Sequence, residues 1–342
     1  MRYRRLGVVA LLAAAVCMTP GTAGAAQITC EDVTVPVRAG LTAQSMHGRL
    51  CVPQGASTVQ VLIPGGTYTS AYWDIGHAPE TLSYRLAMNR AGIATIAVDR
   101  LGSGRSSRPA SLFLDARSQA DAVHRVIQTL RPRFARVVVV GHSVGSAVAT
   151  IEAARHRDVD GVVITGLTHR INLPGAVPVF TTLVPAVLDA RLRDYGLDLG
   201  YLTTTPGSRY RSFHTPGAPD PAALAFDEAT KDVVTPTETV DTVLISTLIP
   251  LSRQIKVPVM VVMGAGDANF CGPPLGADCS SAEALRASEG PFYAPEAGLH
   301  THVVPGYGHS LNFSPHAPEY HRAVIEWTTA LPGTPARGPA SR

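Results

Sequence analysis

A serine lies between two glycines in the segment Gly141-His142-Ser143-Val144-Gly145, and the flanking sequence suggests a chemical role for it. Residues 136–140 are an arginine followed by four valines, which predicts a fully buried strand. Residues 146–154 are mostly small and compatible with a helix. A G-x-S-x-G sequence between a buried strand and a helix is typical of a nucleophile elbow, a sharp turn that exposes a reactive hydroxyl. Ser143 is therefore the predicted nucleophile, and the alternative is an ordinary Gly-Ser-Gly turn.

The first 25 residues have the composition of an export signal. Three arginines lie among the first five residues, an apolar run follows over 6–16, and small residues at 23–25 provide a cleavage site. The apolar run is shorter than the roughly 20 residues that a membrane span needs. We expect a secreted, extracellular protein cleaved near Ala25. Lipidation at Cys17 is disfavoured because Val16 is a poor residue before a lipidated cysteine.

The charge balance of the chain excludes some classes of partner. The full chain has 29 basic and 26 acidic residues, and the three arginines of the export signal account for the net charge of +3. The remaining chain is balanced, so nothing in it suggests nucleic acid or an anionic membrane as a partner. The composition leaves the oligomeric state open.

Four cysteines remain after cleavage, and an even number in an exported protein indicates disulfides. Four cysteines allow three connectivities. We favour Cys30–Cys51, because the two are nearly symmetric about residues 38–41, the predicted turn of an opening hairpin. We favour Cys271–Cys279, because this pair would close a loop rich in glycine and proline. A metal site at these cysteines is disfavoured, since the sequence has no CxxC spacing.

The remaining pattern predicts an α/β fold with a doubly wound, mostly parallel sheet and an antiparallel hairpin at one edge. Short apolar runs predict strands at residues 59–63, 92–98, 136–140, 159–164, 257–263 and 301–304. Helices are predicted at 80–90, from about 123 to 130, at 146–154 and around 320–327, with Pro318 near the start of the last one.

Residues 168–250 interrupt this alternation of strands and helices. They are rich in Thr, Pro and Leu and contain no run that predicts a buried parallel strand. We expect a helical cap inserted over the carboxyl edge of the sheet, where ligands bind in such folds. A disordered insertion is the alternative, and the apolar content argues against it. The core then comprises residues 26–167 and 251–331, and residues 332–342 form a loose tail.

With these elements in place, the chain resembles the α/β-hydrolase superfamily, in particular serine hydrolases of the secreted bacterial esterase or lipase type. The resemblance covers nearly all of the chain after the export signal. It implies a triad in the order Ser, acid, His on loops after successive strands. Asp267 follows the predicted strand at 257–263, where the acid of the family stands. His309 lies in Gly306-Tyr307-Gly308-His309-Ser310, which matches the histidine loop of the family. Asp278 is the rival acid.

The resemblance also implies two backbone N–H groups that stabilise a negatively charged oxygen, the oxyanion hole. One is the amide of Val144, directly after the nucleophile. The other comes from the loop after the strand at 59–63, where many relatives carry His-Gly-x. In that motif the x residue donates. Here Pro64 stands where the histidine is usual, and this alignment places Gly66 at x, so Gly66 is the first choice of donor and Thr67 the second. Tyr68 and Trp73 are pocket candidates, and ordinary core packing is the alternative for both.

The resulting prediction is a secreted serine hydrolase that cleaves carboxylic esters or lactones through an acyl-enzyme. It requires no cofactor and no metal, and its substrate is a small, mostly apolar molecule. On the same triad, a carbon–carbon bond hydrolase or a cofactor-free peroxidase-like enzyme are alternatives. A non-catalytic binding protein on the same scaffold is a third alternative. Zinc at His300, His302 and His309 is disfavoured, because the first two histidines flank a predicted strand.

Overall fold

The computed structural model describes residues 27–332. The predicted export signal and all of the predicted tail except Pro332 therefore lie outside the described residues. The strands of the described part are β1 (Ile28–Ala39), β2 (Thr42–Pro53), β3 (Thr58–Ile63), β4 (Ala94–Val98), β5 (Arg136–His142), β6 (Gly161–Thr165), β7 (Leu183–Pro185), β8 (Leu202–Thr204), β9 (Val259–Gly264) and β10 (His300–Val304).

The α-helices connect these strands and cover both faces of the sheet. Within residues 27–332 they are α1 (Pro79–Leu82), α2 (Tyr84–Arg90), α3 (Ala116–Leu130), α4 (Val144–His156), α5 (Leu173–Thr182), α6 (Pro221–Thr230), α7 (Pro236–Thr247), α8 (Ala282–Glu289) and α9 (Ala317–Ala330). None of these helices is both long enough and apolar enough to cross a bilayer.

Eight strands form one sheet in the order β1-β2-β4-β3-β5-β6-β9-β10. The β1–β2 and β2–β4 pairs are antiparallel, and all the others are parallel. This is the predicted mostly parallel α/β sheet with a hairpin at one edge. The carboxyl ends of β3, β5, β9 and β10 therefore lie along the same edge of the sheet.

The core occupies both faces of this sheet, as the apolar run of β5 requires. Val137 and Val139 belong to one buried cluster, whereas Val138 and Val140 belong to the other. Alternate side chains of a strand point to opposite faces, so a strand buried on both faces must be apolar throughout. This explains why an unbroken run of valines precedes Ser143.

The opening hairpin carries the first disulfide. Cys30 and Cys51 are directly opposite each other in the β1–β2 register, and their sulfurs are 2.05 Å apart. The turn lies at Gly40 and Leu41, inside the predicted 38–41 segment. Cys271 and Cys279 form the second disulfide, also at 2.05 Å. Both pairings are the ones that the spacing favours.

Two predicted elements differ from the structure. The helix predicted at 80–90 is broken at Ser83, whose side chain accepts a hydrogen bond from the amide of Leu86 and thereby begins a second helix. Residues 168–250 contain helices α5, α6 and α7, as predicted, but also the two-stranded antiparallel ribbon of β7 and β8. None of their strands joins the large sheet. The domain boundaries themselves stay a prediction.

Candidate active site

Ser143 lies at the sharp turn between β5 and α4. Its backbone has φ 53° and ψ −118°, a conformation that is strained for any residue other than glycine. The turn is held by a hydrogen bond from the Ser143 amide to the Thr165 carbonyl at 2.8 Å. Ser143 is half-buried and immediately precedes α4, so the positive end of the helix dipole points at its side chain.

The two glycines of the motif are required by close backbone approach. A Cβ atom on Gly141 would lie 2.3 Å from the Gly145 carbonyl oxygen. A Cβ atom on Gly145 would lie 2.3 Å from the Ile63 carbonyl oxygen on the neighbouring strand. Real Cβ contacts are never this short, so any side chain at either position would push α4 away from the sheet. The elbow can form only because both positions are glycine.

Asp267 and His309 follow the carboxyl ends of β9 and β10 and are joined by a hydrogen bond. Nδ1 of His309 is 2.8 Å from Oδ2 of Asp267. Asp267 is fully buried and His309 nearly so. The other carboxylate oxygen, Oδ1, accepts the Asn269 amide at 3.0 Å. The carboxylate therefore fixes the ring orientation and places the Nδ1 proton between the two residues, which leaves Nε2 as the free basic nitrogen.

The acid loop and the histidine loop are bonded directly to each other. The amide of Ala265 donates to the Val304 carbonyl at 2.9 Å, and the amide of Gly266 donates to the Tyr307 carbonyl at 2.9 Å. A Cβ atom on Gly264 would lie 2.2 Å from the Gly308 carbonyl oxygen. This close contact sets the separation of the two catalytic candidates with backbone atoms alone.

Ser143 and His309 line one cavity of about 80 Å³. Within the described part of the chain no hydrogen bond joins their side chains, and such contacts often tighten only when substrate binds. The cavity is mostly apolar, and residues 168–250 supply more than half of its lining. The lining residues are Gly66, Thr67, Ser143, Val144, Ile171, Ala176, Val179, Phe180, Leu183, Phe213, Val234, Thr239, Thr242, Val243, Asn269, Phe270 and His309.

The structure separates the two choices for the second oxyanion donor. The Thr67 amide already donates to the Val233 carbonyl at 3.2 Å. In residues 27–332 the amides of Gly66 and Val144 have no hydrogen-bond acceptor, and both residues line the cavity. A Cβ atom on Gly66 would lie 3.1 Å from the Val144 side chain, so the two residues are neighbours. This arrangement favours Gly66 over Thr67.

Tyr68 and Trp73 are buried and lie outside the lining of the cavity. The Tyr68 hydroxyl is 2.6 Å from Oγ of Ser310, so it connects the oxyanion loop with the histidine loop. Trp73 packs edge-on against Tyr72, with ring centroids 5.1 Å apart. The aromatic residues at 68–73 turn into the core beneath the site, because the single helical turn Ser70–Trp73 packs on strands β3 and β4. The sequence pattern could not distinguish a core aromatic from a pocket aromatic.

His142, the residue before Ser143, is held as a neutral packing residue. Its ring stacks on Tyr72 at 4.3 Å, and Nδ1 is 3.1 Å from the Thr165 hydroxyl. Burial, and then the nearby His309, lower the pKa of His142 well below its ordinary value. His142 is therefore uncharged at neutral pH and does not compete with His309 for a proton.

Two alternatives raised by the sequence are not brought to the site. Asp278 is exposed, and its carboxylate caps the amide of Ser280 at 3.0 Å. His300 is exposed and His302 half-buried on β10. Among the residues that the structure describes, neither of them forms a cluster of metal-ligating side chains with His309.

Most of the cavity wall could not be identified from the sequence. Val179, Phe180 and Val243 carry no motif, and only the folded arrangement of α5 and α7 brings them over Ser143. The one available signal was the high apolar content of the segment as a whole.

Comparison with protein families identifies the chain. The model described as "Alpha/beta hydrolase family" matches residues 60–320, which include the three triad candidates and the oxyanion loop. The chain belongs to this alpha/beta hydrolase family. The resemblance inferred from the sequence is thereby confirmed. A search of curated protein sequences finds no match to this hydrolase.

Solved structures with the same fold include several esterases. A thermophilic esterase from Thermogutta terrifontis is 17% identical, with 89% of this hydrolase and 100% of that chain covered and a TM-score of 0.56. A putative aryl esterase from Burkholderia cenocepacia is 16% identical, with coverages of 87% and 98% and a TM-score of 0.60. A carboxyl esterase from Bacillus coagulans is 17% identical, with coverages of 88% and 98% and a TM-score of 0.57. At these identities the likeness establishes the fold.

Proposed function

We propose that this hydrolase is a serine-dependent carboxylic ester hydrolase whose triad is Ser143, His309 and Asp267. The observation that carries the proposal is the arrangement at the cavity. A strained, half-buried serine lines the same small cavity as a histidine whose Nδ1 is bound to a buried carboxylate. A serine hydroxyl is a weak nucleophile until a base removes its proton, and a histidine fixed by a carboxylate supplies that base.

The reaction follows from the position of each group. Nε2 of His309 takes the Ser143 proton as Oγ attacks the ester carbonyl. The amides of Val144 and Gly66 donate hydrogen bonds to the resulting oxyanion. His309 then gives the proton to the leaving alcohol, and an acyl-enzyme remains on Ser143. Water, deprotonated by His309, attacks the acyl carbonyl and releases the carboxylic acid, and the proton returns to Ser143.

The cavity supports a small, mostly apolar acyl group. Its volume of about 80 Å³ is well below the roughly 300 Å³ of common drug-sized ligand pockets. Its wall from residues 168–250 is built of Ala176, Val179, Phe180, Leu183 and similar side chains, with no charged group. We therefore propose short-chain esters or lactones as substrates, with the 168–250 segment acting as a cap.

We also propose that the enzyme works outside the cytoplasm. The two disulfides support this location, because such bonds persist in oxidising compartments. The basic and apolar character of residues 1–25 is the second argument.

The test is hydrolysis of a p-nitrophenyl ester series from acetate to palmitate by the chain from residue 26 onward. Wild type, Ser143→Ala and the control Ser57→Ala, an exposed serine, are compared. We expect turnover with an optimum at about two to four acyl carbons, because the cavity is small. Ser143→Ala should lose at least about 1,000-fold in kcat, and Ser57→Ala should match wild type.

Labelling with a fluorophosphonate separates the two parts of the proposal. Labelling of Ser143 without turnover of any ester would retain the nucleophile and reject the ester specificity, and a carbon–carbon bond substrate would be tested next. If Ser143 is not labelled and no ester is turned over, the proposal that the protein is a serine hydrolase is rejected. An optimum at palmitate would contradict the small cavity.

A further inference from the structure

A second cluster of reactive side chains lies away from the cavity, at the opposite end of α4. It consists of His124 on α3, Glu152 near the end of α4 and Asp158 in the loop before β6. Glu152 is nine residues beyond Ser143, which is about 13 Å along a helix axis. The cluster is therefore separate from the proposed ester hydrolase site and does not depend on it.

Glu152 is the residue that needs an explanation. It is fully buried, at 0% exposure. Within residues 27–332 neither of its carboxylate oxygens has a hydrogen-bond partner. A buried carboxylate with no donor is strongly unfavourable, and charges at such positions are paired or coordinate metals. Oδ1 of Asp158, beside it, is also buried with no hydrogen-bond partner in the described chain. Glu152 and Oδ1 of Asp158 thus face each other, and among the described groups only a proton carried by one of the two carboxyl groups would join them.

The geometry of the cluster matches a metal site. One ligand atom from each of His124, Glu152 and Asp158 can be chosen so that all three lie within 4.8 Å of one another. Nδ1 of His124 is 2.9 Å from Oδ2 of Asp158 and 3.9 Å from Oε1 of Glu152. Tetrahedral zinc, with bonds of about 2.0–2.1 Å, holds its ligand atoms about 3.3 Å apart. The two measured distances bracket this value, so small carboxylate rotations would complete the site.

Surrounding residues orient the ligands. The side-chain amide of Gln128 donates to the Asp158 carboxylate, and Arg131 donates to the Asp158 carbonyl. The ring of His156 stacks on His124 with centroids 3.9 Å apart, and its Nε2 is 3.0 Å from Asp121. Such outer contacts fix the ring and carboxylate orientations in metal sites.

Solvent reaches the cluster at His124 and Asp158, whose side chains are 22% and 13% exposed, whereas Glu152 is enclosed. His124 lines an open surface cavity together with Asp121, Arg125 and His156. The cationic Arg125 lies at this entrance, so the two carboxylates are needed to make the site attractive to a cation. The cavity side is also where a water molecule would complete the coordination.

We propose that His124, Glu152 and Asp158 bind a divalent transition-metal ion, best matched by Zn²⁺, which cross-links α3 and α4. One imidazole and two carboxylates suit zinc better than calcium or magnesium, which prefer oxygen ligands alone. The sequence predicts no metal, because the three ligands are spread over 35 residues and form no spacing motif. A proton shared between Glu152 and Asp158 is the competing account of the same geometry.

The test is Zn²⁺ binding to the chelator-treated protein, chain from residue 26 onward, measured by isothermal titration calorimetry and by thermal unfolding. We expect one bound equivalent and a Tm rise of about 3 °C or more at a 100-fold excess over the Kd. Ca²⁺ and Mg²⁺ should give smaller rises. Glu152→Gln and His124→Gln should abolish both the binding and the Tm rise. Glu152→Gln keeps the shape of the side chain, so the protein should still fold.

The matched control is His316→Gln, which alters an exposed histidine 3.0 Å from Glu319. It should bind Zn²⁺ like wild type. An equal Tm rise in wild type and Glu152→Gln would overturn the proposal, because the ion would then bind elsewhere. Wild type that binds no Zn²⁺ would also overturn it and favour the shared proton. Absorption of the Co²⁺-loaded protein in the visible range gives an independent readout, and an octahedral spectrum would reject the tetrahedral site.

Discussion

The edge of the large sheet and the 168–250 segment line the same cavity, but buried ion pairs contribute more to the segment. At the sheet edge, Ser143 is positioned by buried valines and by two glycines that let α4 approach the backbone of β3. The 168–250 segment combines apolar packing with three buried ion pairs. They are Arg209–Asp227 at 2.9 Å, Lys231–Asp189 at 2.7 Å and Arg100–Glu238, all with both side chains at most 3% exposed.

One of these pairs reaches the proposed oxyanion loop. Nη1 of Arg209 donates to the Thr67 hydroxyl at 3.0 Å, and its guanidinium lies over the Tyr68 ring at 4.2 Å. Thr67 has φ 62°, which is unfavourable for a β-branched residue. Arg209 thus helps to keep Thr67 in a strained conformation next to Gly66. Asp227 also bonds Nε2 of His214, so the pair belongs to a network.

The difference between the two regions concerns tolerance to change. Apolar packing in the sheet accepts substitutions of similar volume at modest cost. A buried ion pair does not, because removal of one partner leaves an uncompensated charge. We therefore expect single substitutions of the candidate catalytic side chains at the sheet edge to lower the activity. The 168–250 segment should instead lose stability when one of its buried charges is left unpaired.

The largest expected effect is on catalysis at the sheet edge. Asp267→Asn should lower kcat about 10⁴-fold, because the amide no longer fixes the productive tautomer of His309. The Tm should stay within a few degrees of wild type. Asp278→Asn, at the exposed acid of the neighbouring loop, is the control and should change kcat less than about twofold. Equal losses in the two variants would disprove the assignment of Asp267.

The next effect concerns the charges of the 168–250 segment. Arg209→Met should lower the free energy of unfolding by about 3–5 kcal/mol, since Asp227 is left buried and charged. Arg133→Met removes a half-exposed partner of Glu31 and should cost less than about 1 kcal/mol. Urea unfolding measures both.

A second readout separates positioning from stability in the same variant. Below its unfolding temperature, Arg209→Met should lower kcat more than it changes KM, because the loop that carries Gly66 loses its anchor. Addition of Asp227→Asn should recover part of the stability, but not the lost kcat. If Arg209→Met costs under 1 kcal/mol, ion pairs do not hold this segment.

A steric change tests the sheet edge in the same terms. Gly145→Ala places a Cβ atom 2.3 Å from the Ile63 carbonyl, and we expect a loss of about 3 kcal/mol or more in unfolding free energy. Gly290→Ala is the matched control, since its Cβ would meet open space at a φ of −47°. That variant should be neutral or stabilising by up to about 1 kcal/mol. Similar stabilities of the two variants would refute the steric account of the elbow.

The same contrast explains what the sequence could predict. The strands, their common edge and the candidate Ser143 follow from apolar runs and from the glycines after one of them, whereas Asp267 and His309 are candidates through the resemblance to the family. Local rules govern these features, because a strand buried on both faces must be apolar and an elbow must have glycines. The Cys30–Cys51 pairing follows in the same way from the symmetry of a hairpin.

Features set by distant contacts could not be predicted. Arg209 pairs with Asp227 and donates a hydrogen bond to Thr67, which is 142 positions away in the chain. No pattern in the sequence predicts either contact. Tyr68 and Trp73 resemble pocket aromatics in the sequence, but turn into the core. The β7–β8 ribbon and the break at Ser83 were also missed, because each depends on short segments where tertiary contacts decide the conformation.

The smallest expected effect is the pH dependence contributed by Asp232, at the junction between the two regions. Its carboxylate is buried and accepts the amides of Gly104 and Val233 at 3.0 and 2.9 Å. Burial is the largest influence and raises the pKa of Asp232 to about 6, from 3.8. The folded state therefore binds the proton more tightly than the unfolded state. The contribution of Asp232 to stability must fall as the pH rises from about 4 to 6, and stay level above that.

The measurement is the difference in unfolding free energy between wild type and Asp232→Asn at several pH values. Relative to the variant, wild type should lose about 2–3 kcal/mol between pH 4 and pH 7, since one pKa unit corresponds to about 1.4 kcal/mol. The difference cancels the titration of other groups, such as Asp227, whose pKa is lowered and whose contribution has the opposite sign. Asp278→Asn should show no such decline. A difference that is constant with pH would contradict the raised pKa of Asp232. It would mean that the hydrogen bonds from the Gly104 and Val233 amides stabilise the charged carboxylate enough to offset its burial, as the partners of the buried ion pairs do.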